Sequence, residues 1–189
     1  MKSNSGNNGV IDNYFLADGS ATKNPVDQSI QLGDGGVGMI FQLQAYRKIA
    51  GGASGYLYGW YLLTPREKTG IASPLVGVPL SVPDVYSFRS GISTALWRRR
   101  GISTSLGPRL DGIPLRDFAG SSGGFRRPGY SLYLDPGIVV AAGRSTWSAN
   151  VPVRVHQDFQ RSLADIDRGS AGGGDLARYL ILIGYTVRF

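Results

Sequence analysis

The sequence predicts an all-β fold, an antiparallel transmembrane β-barrel of which about seven C-terminal strands are present. Three observations predict it. Segments of strand length alternate apolar and polar residues with period two, the connections between them alternate between short and long, and only 17% of residues are charged. Globular domains that meet water on all sides carry roughly 25%.

Residues 1–36 are polar and punctuated by turn formers such as Asn7, Asn8, Gly9, Asp18, Gly19, Asn24 and Pro25. They read as an extracellular loop with one short strand from Val10 to Leu16. Residues 37–189 then divide into seven segments bounded by Gly, Pro, Ser and Asp clusters, without helical periodicity.

In the first, Val37 to Lys48, Met39, Phe41, Leu43 and Ala45 face away from Gln42 and Gln44. In the second, Gly55 to Thr64, Tyr56, Tyr58 and Trp60 share a face, and with Trp97 and Trp147 beside later turns they fit an aromatic girdle at a membrane boundary. The third and fourth run from Asp84 to Leu96 and from Ile102 to Gly112, where Ile102, Thr104 and Leu106 oppose Ser103, Ser105, Arg109 and Asp111. The fifth covers Pro128 to Ala141. The sixth, Thr146 to His156, sets Trp147, Ala149, Val151, Val153 and Val155 against Ser148, Asn150, Arg154 and His156. The seventh, Leu176 to Phe189, sets Tyr179, Ile181, Ile183, Tyr185, Val187 and Phe189 against Arg178, Gly184, Thr186 and Arg188. Pro108, Pro136 and Pro152 fall inside these segments, and because proline cannot donate to a ladder they predict bulges or strand ends.

Residues 49–54, 97–101 and 142–145 are tight turns, whereas 65–83, 113–127 and 157–175 are long. Long structureless loops are uncommon in compact domains, but a barrel places short turns on the periplasmic side and long loops outside. Seven is odd and bacterial single-chain barrels have an even count of at least eight. Met1 to Asn13 also has no apolar signal core, so a leader and upstream strands are expected beyond these residues.

The same composition excludes other classes. There is no cysteine and one histidine, His156, which leaves no thiolate site and little for zinc. The formal charge of +7 is spread along the chain, dense only at Arg98, Arg99 and Arg100, so no nucleic-acid partner is expected. No run of 18 apolar residues exists, which excludes a transmembrane helix. His156 has no nucleophile elbow beside it and no carboxylates are paired for acid–base work, so neither an enzyme nor a cofactor is expected. The GDGGVG run at 33–38 reads as a turn, and Asp27 and Asp34, with Asp111 and Asp117, match no calcium-loop spacing.

The ending YLILIGYTVRF, with Tyr185, Val187 and terminal Phe189 at alternate positions, resembles the C-terminal signal by which the barrel-assembly machinery recognises outer-membrane barrels. Four further stretches, PVDQSIQLGDGGVG (Pro25 to Gly38), YLLTPREK (Tyr61 to Lys68), DGIPLRDFAG (Asp111 to Gly120) and GFRRPGYSLYLDPG (Gly124 to Gly137), together resemble the family of outer-membrane transporters grouped with the MetA pathway of phenol degradation. The resemblance implies a barrel in outer-membrane lipid and uptake of small, hydrophobic or aromatic molecules. It brings no catalytic residues with it.

An arginine facing lipid at mid-membrane costs about 2–4 kcal/mol, so Gln42, Gln44, Arg89, Arg109, Asp111, Arg154, His156, Arg178 and Arg188 are expected to face the lumen. Arg116, Asp117, Arg126 and Arg127 share one long loop and are expected at its mouth. Two alternatives stay open: a non-conducting structural or adhesive barrel, and a soluble basic β-sandwich that binds polysaccharide or nucleic acid.

Overall fold

Period-two alternation builds a sheet with one polar and one apolar face, and the register decides which residues share them. The computed structural model describes residues 11–15, 18–25, 37–65, 68–72 and 79–189. Its strands are β1 (Ile11–Phe15), β2 (Ala21–Pro25), β3 (Met39–Lys48), β4 (Ala53–Leu63), β5 (Lys68–Ala72), β6 (Pro79–Ser81), β7 (Val85–Trp97), β8 (Ile102–Leu106), β9 (Pro108–Ile113), β10 (Gly129–Leu134), β11 (Gly137–Ala142), β12 (Ser145–Asn150), β13 (Val153–Phe159) and β14 (Leu182–Val187). A 3-10 turn spans Arg98–Arg100 and a helix, α1, spans Leu163–Asp167.

The main sheet is an antiparallel meander of ten strands. They form seven courses in chain order: β3, β4, β7, β8 with β9, β10 with β11, β12 with β13, and β14. The expected segments therefore correspond to the observed courses one for one. The breaks within courses fall at Gly107, just before Pro108, at Asp135–Pro136 and at Val151–Pro152, where the expected proline interruptions lie. The ladder survives them on its other side, because carbonyls still accept: Asp135 N donates to Gly107 O at 2.8 Å, Val151 N to Pro136 O at 3.0 Å and Leu180 N to Pro152 O at 3.1 Å.

All three tight turns lie at one end of the sheet and all three long connections at the other. β4 has 11 residues, which at about 3.3 Å each extend roughly 36 Å. The sheet is not closed: among the described residues β3 pairs only with β4, and β14 lies beside β12 alone.

The long connections hold more structure than expected. The first carries the β5–β6 hairpin. The third holds α1, started by a capping box in which Asp165 N donates to Ser162 Oγ and Ser162 N to Asp165 Oδ2, each at 3.1 Å. At the N-terminus the expected single strand is a hairpin, β1 with β2. The other residues of 1–36, including Asp27, Asp34 and most of GDGGVG, lie outside the described residues.

Burial is inverted relative to a water-soluble domain. Among the described residues the buried apolar side chains are Val82, Tyr133 and Ala164, whereas Asp84, Ser87, Arg126, Ser131 and Asp135 are all at most 4% exposed. The apolar residues stand on the opposite face and in the open: Leu96 is 68% exposed, Ile181 65% and Ile183 72%. Registers join them into one surface, with Phe88 opposite Leu110, Ile92 opposite Leu106, Ala149 opposite Ile183 and Trp147 opposite Tyr185.

Candidate functional site

The polar face is built in tiers. Next to the long connections, cross-strand partners place Gln42, Trp60, Ser87, Asp111, Ser131 and Gln157 at one height. One step towards the tight turns, the same registers align Gln44, Tyr58, Arg89, Arg109, Tyr133 and Arg154. Gln42, Gln44, Arg89, Arg109, Asp111 and Arg154 thus share the inward face, as the alternation predicts, and Arg178 joins them because Arg154 N donates to its carbonyl at 2.8 Å.

The arginines of this tier are paired on the inner face. Arg109 Nε donates to both carboxylate oxygens of Asp111, at 3.0 and 2.9 Å, and Ser87 Oγ donates to Asp111 Oδ1 at 2.6 Å. Arg89 reaches across the β8–β9 course to fully buried Asp135 at 3.3 Å, and Asn150 Nδ2 donates to the same carboxylate at 3.1 Å. The intervening course carries Gly107, where a β-carbon would sit 1.8 Å from Ser90 O, so the neighbouring backbone admits no side chain there. Arg154 pairs with Asp175 at 2.6 Å and also donates to Leu176 O. This hydrogen bond holds the exposed Asp175 carboxyl below the usual carboxylate range.

On the tight-turn side of this tier lies a cavity of about 410 Å³. Tyr46, Tyr56 and Tyr58 line it from β3 and β4, and Ser93, Ser103, Ser105, Ser148 and Asn150 from the courses opposite, with Arg89 at the edge. Six courses contribute to one cavity, which requires the sheet to curl around its polar face. The Tyr56 hydroxyl and Arg89 Nε are buried without a hydrogen-bond partner. Unpaired polar atoms of this kind are the places where a bound polar molecule gains most.

At the long-loop end the four residues expected at a mouth are divided. Arg126 and Asp117 form a fully buried bidentate pair, both bonds 2.6 Å, and Arg126 also donates to Ser81 Oγ at 2.8 Å. Asp117 Oδ1 accepts from Asp84 N at 2.9 Å, while the Asp84 carboxylate accepts from Tyr61 Oη at 2.7 Å, Thr64 N at 2.6 Å and Phe118 N at 2.9 Å. This network pins the second long connection to the base of the first. Arg116 and Arg127 are exposed and have no ion-pair partner among the described residues.

Two expectations are corrected. His156 does not face the lumen: the register shifts between Leu132 and Tyr133, so Leu132 opposes His156 while Tyr133 opposes Arg154, and Val155 is the extra residue of a bulge. The bulge turns His156 to the outer face, where its ring lies 5.9 Å from Tyr130. Tyr56, Tyr58 and Trp60 do not form an outer girdle, because pairing Tyr58 with Gln44 and Arg89 turns all three inward. Trp97 and Trp147 stay outside, 47% and 53% exposed, with the Trp147 and Tyr185 rings 4.4 Å apart and tilted by 38°.

Alternation places Ser103, Ser105, Ser148 and Asn150 on the polar face, though not as site residues, whereas Asp84, Ser93 and Asp135 carried no expectation. No protein family, no curated protein and no solved structure matches this chain.

Proposed function

We propose that this chain forms the wall of a bacterial outer-membrane β-barrel that passes small molecules through a polar lumen. One observation carries the reading: polar and charged side chains are buried on the curled inner face while large apolar side chains stand exposed on the outer one. Such a surface is stable against hydrocarbon and costly against water, where monomers rarely expose contiguous apolar patches beyond a few hundred Å². A β-sandwich would need a second sheet over that face, and the exposure of Ile92, Ile138 and Ile183 leaves it uncovered. Tyr185, Val187 and Phe189 continue the lipid-facing row, the arrangement expected of a signal read by the barrel-assembly machinery.

Strand direction sets the parity that closure would need. The first and seventh courses of an antiparallel meander run the same way, so an odd number of further strands completes an antiparallel ring. The tyrosine-and-serine cavity suits small solutes that stack on a ring and exchange hydrogen bonds. The resemblance to transporters grouped with the MetA pathway of phenol degradation, which rests on the four quoted stretches, points the same way.

The test is fractionation of the expressed protein, electrophoresis of boiled and unboiled detergent extracts, and single-channel recording in planar bilayers. Heat-modifiable migration from the outer-membrane fraction with reproducible conductance steps supports the proposal. An inserted but silent barrel leaves the structural or adhesive alternative, and a product that needs no detergent overturns the membrane assignment.

A further inference from the structure

The charge of this chain is segregated along the axis of the sheet. Four chain segments meet at the tight-turn end, residues 47–54, 96–103, 141–147 and 186–189, and none contains Asp or Glu. They carry Arg47, Lys48, Arg98, Arg99, Arg100, Arg144 and Arg188, all exposed and none in an ion pair among the described residues. The whole chain has 20 basic and 13 acidic residues; with these seven set aside, the remaining side chains balance. The net +7 therefore equals the charge of this one rim, and among the described residues no Asp or Glu side chain pairs with it.

The rim adjoins the apolar band directly. Arg100 lies over the Trp97 ring at 4.0 Å, and Arg98 donates to Gly51 O at 3.4 Å, which ties two turns together. Trp147 and Tyr185 face each other on the outer side, three residues from Arg144 and Arg188 respectively. Basic groups just beyond interfacial aromatics and an apolar band match a bilayer leaflet: acyl chains, then glycerol, then phosphate. A nucleic acid or an acidic protein would match the charge but not the adjoining apolar surface.

We propose that this rim binds the phosphate headgroups of anionic phospholipids in the leaflet at the tight-turn end of the sheet, an inference that rests on the barrel reading above. The experiment places the purified chain in mixed phosphatidylglycerol–phosphatidylcholine vesicles in which one lipid at a time is brominated, and reads tryptophan quenching. Trp97 and Trp147 report from the rim itself. At equal mole fraction, brominated phosphatidylglycerol should show at least about threefold tighter association than brominated phosphatidylcholine. The preference should vanish in 1 M salt and in the triple variant Arg98→Gln, Arg99→Gln, Arg100→Gln, with quenching by brominated phosphatidylcholine retained as evidence that the variant still inserts. Equal quenching by the two lipids overturns the inference and leaves the barrel standing. So does binding of a short DNA duplex without lipid preference. Absence of quenching by either lipid overturns the barrel reading itself.

Discussion

The Arg126–Asp117 pair is the residue-scale feature with most at stake, because both side chains are fully buried. Removing one partner strands the other charge in a site without water, which costs about 3–5 kcal/mol. Arg126→Ala should therefore lower the urea midpoint of the micelle-folded protein markedly. Arg109→Ala breaks a pair whose side chains are 16% and 18% exposed, so partial solvation of the remaining carboxylate should make its loss smaller than that of Arg126→Ala. A second residue-scale prediction concerns pH. The Asp175 carboxyl lies below its ordinary value of 3.8, first because Arg154 donates to it. A group depressed on folding contributes stability above its unfolded pKa and loses it as pH falls through the folded one. The tether between Arg154 and the third long connection should thus persist through pH 4 and release only in stronger acid. Limited proteolysis of residues 160–178 with an acid-active protease checks this, and release beginning above pH 5 would contradict it.

At the scale of the element, the β8–β9 course depends on Gly107. A methyl there meets Ser90 O at 1.8 Å and Gly91 Cα at 2.6 Å, both backbone, so neither neighbour can rotate away. Gly107→Ala should destabilise the sheet by about 1–3 kcal/mol and reduce the heat-modifiable fraction on gels. Gly123→Ala, with nothing within 4 Å, should leave it unchanged. The seven courses were legible in the sequence because a sheet with one apolar face writes its register as alternation, and prolines mark its interruptions. His156 was misplaced because a bulge adds one residue without any mark in composition, and everything after Val155 on that strand changes face. The tyrosines were misread because Tyr56, Tyr58 and Trp60 share a parity without revealing which face it is; only the pairing of Tyr58 with Arg89 settles that. The helix in the third connection did leave a trace, the Ser162–Asp165 spacing of a capping box. The Arg89–Asp135 bridge left none, since it joins courses separated by a third.

For the whole molecule, the barrel reading makes a demand that a water-soluble fold does not: substitutions at neighbouring positions must have opposite outcomes according to face alone. Ile183 is 72% exposed on the outer face opposite Ala149, while Leu182 lies on the inner face opposite Asn150. An arginine at the outer position meets lipid near mid-height and costs about 2–4 kcal/mol, whereas one at the inner position meets a polar lumen. Ile183→Arg should therefore reduce insertion into vesicles, read as the heat-modifiable band, by tenfold or more, and Leu182→Arg should insert nearly as the parent does. In a soluble sheet an exposed isoleucine is the easier of the two to charge, because water already surrounds it. Equal tolerance, or a larger loss from Leu182→Arg, would mean that the exposed apolar face is covered by something other than lipid. The pair thus discriminates between membrane and water from adjacent residues in one strand, with strand propensity and distance from the C-terminus held nearly constant.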